Sequence, residues 1–357
     1  MRTAIQLSAE SGPWSEIVDY VTEAERLGVD VCWVAEAWGG DAATPIAALS
    51  QRTERMLLGS GVFQVGARSA AMVAMTALTL QHLSDGRFLL GLGASGPQVV
   101  EGLHGVSFDR PLTRMRETIE VVRLAEAGER LAIDGEEVRL PRPGGEGKAL
   151  RLAIRTEYPI PVYIASLSHR MLALTGEVAD GWLGTSFVPE GAAPTFEALA
   201  AGAARAGRTL DDLDLCQGAE VAFAEDEVEL TAMVAARKPG LAFSLGGMGS
   251  ATTNFYNDAY ARQGWAEVAT ESQRLWLDGQ REAAAGVIPD EMVLATTLLG
   301  TEPMVAERLR VWRDADITTV RLYPAGRDLD ARLDTLGRAL DLVRLLDSGP
   351  AAPPVMP

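Results

Sequence analysis

The feature that most constrains this chain is a rhythm in which short runs, apolar along their whole length, alternate with stretches of helical spacing. Thr3 to Leu7 is such a run, Ile17 to Leu27 has helical spacing, and Val29 to Ala35 is again short and β-rich. The pattern continues with a helix over Pro45 to Arg52, a strand over Met56 to Val62, a helix over Ala70 to Leu83 and a strand over Arg87 to Gly93. Strands without a polar face are covered on both sides, as in a parallel sheet joined by crossover helices. Right-handed crossovers leave a doubly wound sheet or a closed barrel. Further runs at Pro161 to Ala165, Asp180 to Thr185, Gly218 to Ala224 and Thr318 to Tyr323 complete a set of eight. Eight strands fit an α/β fold of the (β/α)8 TIM barrel type.

Two stretches break the rhythm. After a helix over Thr113 to Ala127, the segment LAIDGEEVRLP predicts a hairpin around Asp134-Gly135, followed by the Gly-rich PRPGGEGKA. From Pro239 to Pro289 the chain is rich in Gly, aromatic and polar residues where the barrel needs only a helix, a composition suited to a pocket wall or lid. The chain therefore reads as one barrel domain over residues 1–346 with insertions near 129–160 and 239–289, then a Pro-rich tail over 347–357.

Charge narrows the partners. With 32 Lys plus Arg against 49 Asp plus Glu, the net charge is -17, which repels nucleic acid and anionic membrane surfaces. A small-molecule partner fits better, and an anionic one can still bind where backbone N–H groups converge at a helix start. Cys32 and Cys216 lie in apolar runs without metal-ligand spacing and read as buried small hydrophobes. The start of the chain lacks the pattern of a secretory signal and no run is long enough to span a bilayer, so a cytoplasmic protein is expected.

In a barrel of this kind the reacting groups gather at the C-terminal strand ends. Those ends read Glu36-Ala37-Trp38-Gly39-Gly40-Asp41, Gly61-Val62-Phe63-Gln64, Ala94-Ser95-Gly96-Pro97-Gln98 and Ser166-Leu167-Ser168-His169-Arg170. His82, His104 and His169 have no zinc-site spacing, and Ser95 sits outside a GxSxG elbow, so metal hydrolysis and serine hydrolysis are both disfavoured. Gly61, Gly93 and Gly96 let backbone approach a planar ring, although ordinary turn chemistry places glycines there equally well. Ser166 to Ser168 precede a helix, and their hydroxyls and free N–H groups suit either a phosphate assisted by Arg170 or a simple serine cap. Gly181, followed by Trp182, offers a second close approach.

The string GSGVFQVGARSAAMVAMTALTLQHLSDGRFLLGLGASGPQVVEGLHGVSFDRPLTRMRETIEVVR resembles the luciferase-like superfamily, most closely its F420-dependent methylenetetrahydromethanopterin reductase-like branch. The similarity extends through LGVDVCWVAEAWGGDAATPIAAL and IPVYIASLSHRMLALTGEVADGWL. The resemblance implies a TIM barrel that holds coenzyme F420 at its C-terminal mouth, commonly as a homodimer, with FMN as the alternative cofactor. It implies a cis peptide between Gly61 and Val62 behind the ring. Glu36 and the turn Ala94, Ser95, Gly96 and Pro97 would lie near the ring, and Ser166, Leu167, Ser168, Arg170, Gly181 and Trp182 near the phosphate.

The implied reaction is hydride transfer between C5 of F420 and an organic substrate, for which the protein supplies orientation and electrostatics. If a proton also moves, Glu36 is the first candidate, with Asp41 and Glu101 behind it. Sugar-phosphate dehydrogenases of the superfamily carry an Asp-His pair where this chain has Glu36-Ala37, which argues against that activity. Trp38, Phe63, Phe255 and Tyr256, with Tyr260 and Trp265, are expected to form an apolar substrate wall. Two further readings stand beside the reductase: an FMN-dependent monooxygenase, and a barrel that binds cofactor without turnover.

Overall fold

Strand alternation sorts side chains into two layers, and this sorting positions the site. In the computed structural model, which describes residues 1–250 and 252–347, eight parallel strands close into a barrel. They are β1 (Arg2–Leu7), β2 (Val31–Val34), β3 (Leu57–Ser60), β4 (Phe88–Gly93), β5 (Val162–Ala165), β6 (Gly181–Gly184), β7 (Asp214–Phe223) and β8 (Thr319–Pro324). Closure comes from β8, which pairs with β1 on one side (Ala4 beside Arg321) and with β7 on the other (Gly218 beside Arg321). The Pro-rich tail expected over 347–357 lies outside the described residues beyond Asp347, where the last helix ends.

Outward-facing Ile5, Val34, Leu58, Leu90, Leu92 and Ile164 pack with helix residues such as Val21, Ile46 and Val73 to form the main core. Inward-facing Ala4, Val31, Trp33, Leu89, Tyr163, Leu183 and Cys216 fill the lumen. Burial pushes both buried cysteine thiols up to about 12, so they behave as hydrophobes. The lumen is closed at its N-terminal end by Asp214. This carboxylate pairs with Arg2 at 2.6 Å and accepts hydrogen bonds from the Tyr163 hydroxyl at 2.9 Å and from Thr318 and Thr319 at 2.6 Å each. Burial, with the Asp214 charge, pushes the Tyr163 phenol up and keeps it a donor.

Two sequence expectations shift. The seventh strand starts at Asp214 rather than Gly218, because Asp214 and Gln217 interrupt the apolar run by which a strand is recognised. A further short strand, Leu298–Gly300, pairs with the far end of β7 and escaped notice because three residues carry no period. The 129–160 stretch holds the hairpin Ile133–Asp134 and Arg139–Leu140, and its turn is fixed by Glu117, which accepts from the backbone N–H groups of Glu136, Glu137 and Val138. The 239–289 stretch is helical. Its Leu245, Tyr260, Ala269 and Ile288 form a second apolar cluster with Met292 of the following helix, beside β7 residue Ala222.

Candidate active site

At the C-terminal end of β3 the strand breaks at Gly61 and Val62, whose peptide bond is cis, and pairing with β4 resumes at Phe63–Gln64. The residues on the lumen side of this break leave no room for side chains. A Cβ on Gly59 would lie 2.3 Å from the Trp33 ring, and one on Gly61 would lie 3.1 Å from the Trp33 Cβ. On β4, a Cβ at Gly91 would fall 1.8 Å from the Ser60 carbonyl oxygen, and one at Gly93 would fall 2.5 Å from Val62 Cγ2. The result is a shelf of backbone and small side chains, formed by Gly61, Val62, Gly93 and Ala165, above the buried Trp33. Trp33 is braced edge-on by Tyr163 with ring centroids 5.0 Å apart.

The loop after β2 is fastened to this shelf. Arg68 grips the Glu36 carboxylate through both terminal nitrogens, one of them at 2.7 Å from Oε2, and its guanidinium lies 4.3 Å from the Phe63 ring centroid. Glu36 Oε2 also accepts the Ala42 N–H at 3.0 Å. All its partners are donors, so in this geometry Glu36 is an acceptor that orders the loop. Gln64 donates to the Ala37 carbonyl at 2.7 Å, while its Oε1 is buried without a protein partner on the side that faces the lumen. Asp41 is exposed and accepts from the Thr44 N–H and hydroxyl, and exposed Glu101 accepts the Phe108 N–H, so both hold local backbone.

Ala94, Ser95, Gly96 and Pro97 form a half-buried turn after β4, with Ser95 in the left-handed region at φ 59°. After β5, the Ser166 hydroxyl is paired with Thr175 at 2.8 Å and Ser168 caps the ten-residue helix His169–Val178 by accepting from the Met171 N–H. Arg170 points to solvent. The arginine that reaches this loop is Arg262, from the 239–289 stretch, which donates to the Leu167 carbonyl at 2.7 Å. Beside it Gln263 donates to the Ser186 carbonyl and accepts the Val188 N–H, both at 2.7 Å, fastening the helical insertion to the loop after β6.

Several expected residues are not brought to this mouth. Gly181 begins β6 beside Asp214 and Tyr163 at the N-terminal end of the barrel, because the strand starts at that residue rather than ending there. Trp182 alternates outward into the main core and donates its indole N–H to the Ser166 carbonyl at 3.0 Å, so it supports the loop from behind. Phe63 is likewise core, against Phe88. Trp38 is 64% exposed on the rim, Phe255 and Tyr256 are half-buried, and Tyr260 and Trp265 belong to the second apolar cluster.

The wall opposite the shelf was missed by the sequence reading. It comprises Gln6 on β1, Gly218 and Glu220 on β7, and Arg321 and Tyr323 on β8. Glu220 is bound by Arg237 from the helix Glu227–Ala242. The Tyr323 hydroxyl lies 3.4 Å from Gln6 Oε1, and burial pushes its phenol up, partly offset by Arg321. The available signal was Arg321 itself, a charged residue in the middle of the apolar strand TTVRLYP. A separate cleft of about 680 Å³, lined by Arg2, Asp211, Asp214, Arg313 and Thr318, opens on the N-terminal face, away from the loops that carry chemistry in such barrels.

Comparison with known proteins agrees with this geometry. The family model for luciferase-like monooxygenases matches residues 1–319. A Mycobacterium tuberculosis protein, provisionally named a coenzyme F420-dependent oxidoreductase, is 39% identical over 331 residues, covering 89% of this chain and 94% of its own. The 5,10-methylenetetrahydromethanopterin reductase of Methanolobus tindarius is 26% identical over 339 residues, 92% of this chain and 97% of its own. Among solved structures, the coenzyme F420-dependent tetrahydromethanopterin reductase of Methanopyrus kandleri superposes with a TM-score of 0.78 at 22% identity, covering 94% of this chain and 97% of its own. The barrel and the match along nearly the whole sequence make this chain a member of the luciferase-like family of oxidoreductases.

Proposed function

We propose that the protein is an F420-dependent oxidoreductase that moves a hydride between C5 of the deazaflavin and a small organic substrate. The observation that carries this reading is the shelf at Gly61, Val62 and Gly93, where glycines packed against Trp33 and Val62 leave only backbone and small side chains at the catalytic end of the barrel. The names of the 39% identical relative and of the methanogen reductase support F420 as the carrier. When bound, the cofactor supplies hydride donation and acceptance.

The chain's own residues do the rest. Gly61, Val62 and Gly93 back one face of the ring, so that substrate approaches only the other. Glu36 and Arg68 hold the β2 loop at one edge, and the Ala94–Pro97 turn borders the shelf. The Ser166–Ser168 loop, with the N-terminus of the ten-residue helix behind it, receives the phosphate. Arg262 keeps that loop in place from the helical insertion.

A second copy of the chain covers the helix Ala70–Leu83 in this reading. Its sequence, AAMVAMTALTLQHL, is apolar around most of its circumference, yet Met72 and Met75 are 48% and 43% exposed on its outer side. No helix among the described residues is long and apolar enough to cross a membrane.

The test is turnover: purified protein with reduced F420 is offered a panel of carbonyl, enoyl and imine acceptors while the return of the oxidised chromophore is followed. Oxidation that depends on one acceptor class supports the reading and names the substrate. Oxidation only with FMN, reductase and oxygen moves the protein to the monooxygenases, and binding without turnover on any acceptor makes it a cofactor-binding barrel.

A further inference from the structure

The lumen contains two inward-facing arginines with opposite electrostatic situations. Arg2, at the N-terminal end, is matched by Asp214 at 2.6 Å. Arg321 is 6% exposed and forms no ion pair with any carboxylate among the described residues. Its terminal nitrogen donates to the Gly184 carbonyl at 2.9 Å, its guanidinium carbon lies 5.6 Å from the Tyr323 ring centroid, and its Nε is buried with no protein partner. The inward carboxylate two positions along the neighbouring strand, Glu220, is already taken by Arg237.

A buried, uncompensated charge is costly, and proteins retain one chiefly where a ligand completes it. The place is informative. Gly184 is the last residue of β6, so the guanidinium head is at the mouth end of the lumen, across the barrel from the shelf. Gly218 makes room for the guanidinium and for Tyr323, since a Cβ there would lie 2.7 Å from the Tyr323 hydroxyl oxygen and 3.1 Å from Arg321 Nε.

Resting on the F420 reading above, we propose that Arg321 is the counter-charge for the reduced cofactor, pairing with the negative charge that its pyrimidine edge gains on reduction. When a hydride leaves the organic substrate and forms the new C5–H bond, its electron pair displaces the ring's π electrons toward N1 and the C2 carbonyl oxygen. The substrate is oxidised by two electrons and left with one positive charge, which an alcohol-type donor discharges by passing its hydroxyl proton to water, while the ring is reduced by two electrons and gains one negative charge. A fixed guanidinium facing that edge stabilises the reduced state over the oxidised one. Tyr323, whose hydroxyl lies 3.4 Å from Gln6 Oε1, lies beside it. Arg321 thereby sets the balance between hydride donation and acceptance.

The experiment compares dissociation constants for oxidised F420, from fluorescence quenching, and for reduced F420, from anaerobic calorimetry. The full chain, Arg321→Met, Arg321→Lys and Gly218→Ala are each checked by thermal melting. Arg321→Met is expected to weaken binding of reduced F420 by roughly ten- to a hundredfold while changing the oxidised form by less than about threefold. Arg321→Lys recovers most of the loss, and Gly218→Ala, which displaces the head without removing its charge, gives a smaller loss of the same selectivity. Equal losses for the two states, or no loss in a folded variant, overturn the proposal and leave the F420 reading intact. Wild-type protein that binds neither state overturns both. Should Arg321→Met fail to fold, the selectivity of Gly218→Ala decides.

Discussion

Arg68 and Glu36 form a two-point ion pair that joins the loop after the third strand to the loop after the second, with 18% and 8% of their side chains exposed. Removing one partner leaves the other charge in a largely dry site. Glu36→Ala and Arg68→Ala are each expected to lower stability by about 2–4 kcal/mol, somewhat below a wholly buried pair. The double variant should lose clearly less than the sum, because the second change removes the stranded charge. Denaturant midpoints for the four proteins check this, and strict additivity contradicts the pairing.

A methyl group on Gly93 meets Val62 Cγ2 at 2.5 Å and so displaces the shelf on which the ring is proposed to lie. Gly93→Ala is predicted to weaken F420 binding by roughly tenfold or more, with a loss of about 1–3 kcal/mol in stability from overpacking. Wild-type affinity in this variant, measured by fluorescence titration, places the ring elsewhere.

Glu25 gives the fold a pH-dependent element remote from the site. Burial acts to raise its pKa, but the backbone N–H groups of Arg55, Met56 and Glu54, donating at 2.8, 2.7 and 3.1 Å, prevail, so it lies below the ordinary value of 4.5. A depressed carboxylate contributes stability that is complete above its unfolded value and is lost as pH falls through the folded one. Wild-type stability should therefore fall below about pH 4.5 more steeply than that of Glu25→Gln, which is already lower by roughly 1–3 kcal/mol at neutral pH. Parallel urea-midpoint profiles for the two proteins from pH 7 to pH 3 would contradict this.

The exposed Met72 and Met75 make the oligomeric claim testable. Placing carboxylates there, in the double variant Met72→Glu and Met75→Glu, is predicted to convert a dimer to a folded monomer in light scattering. Dimers that persist in the variant put the interface elsewhere, and a monomeric wild type removes it.

The sequence made the barrel legible because its strands are buried on both faces and so appear as uninterrupted apolar runs. It failed where polar residues break the pattern: Asp214 and Gln217 hid the start of the seventh strand, and Gly218, Glu220 and Arg321, although inside the strands that were read, were not recognised as one wall. The shelf was visible as Gly61, Val62 and Gly93. Which way a residue faces was not, since Trp182 and Phe63 follow strand alternation outward into the core although they lie close in sequence to site residues. Arg262 went unseen for a related reason. A residue next to the loop in sequence points to solvent, while one 95 positions from Leu167 reaches its carbonyl, a relation no local pattern encodes.

The most direct test of the central claim is the affinity of the purified protein for F420 measured side by side with FMN. The account predicts saturable F420 binding at least about tenfold tighter than FMN, a difference of roughly 1.4 kcal/mol. It also predicts that substrate-dependent reoxidation of reduced F420 accompanies that binding. Tight FMN binding with no response to F420 would contradict it.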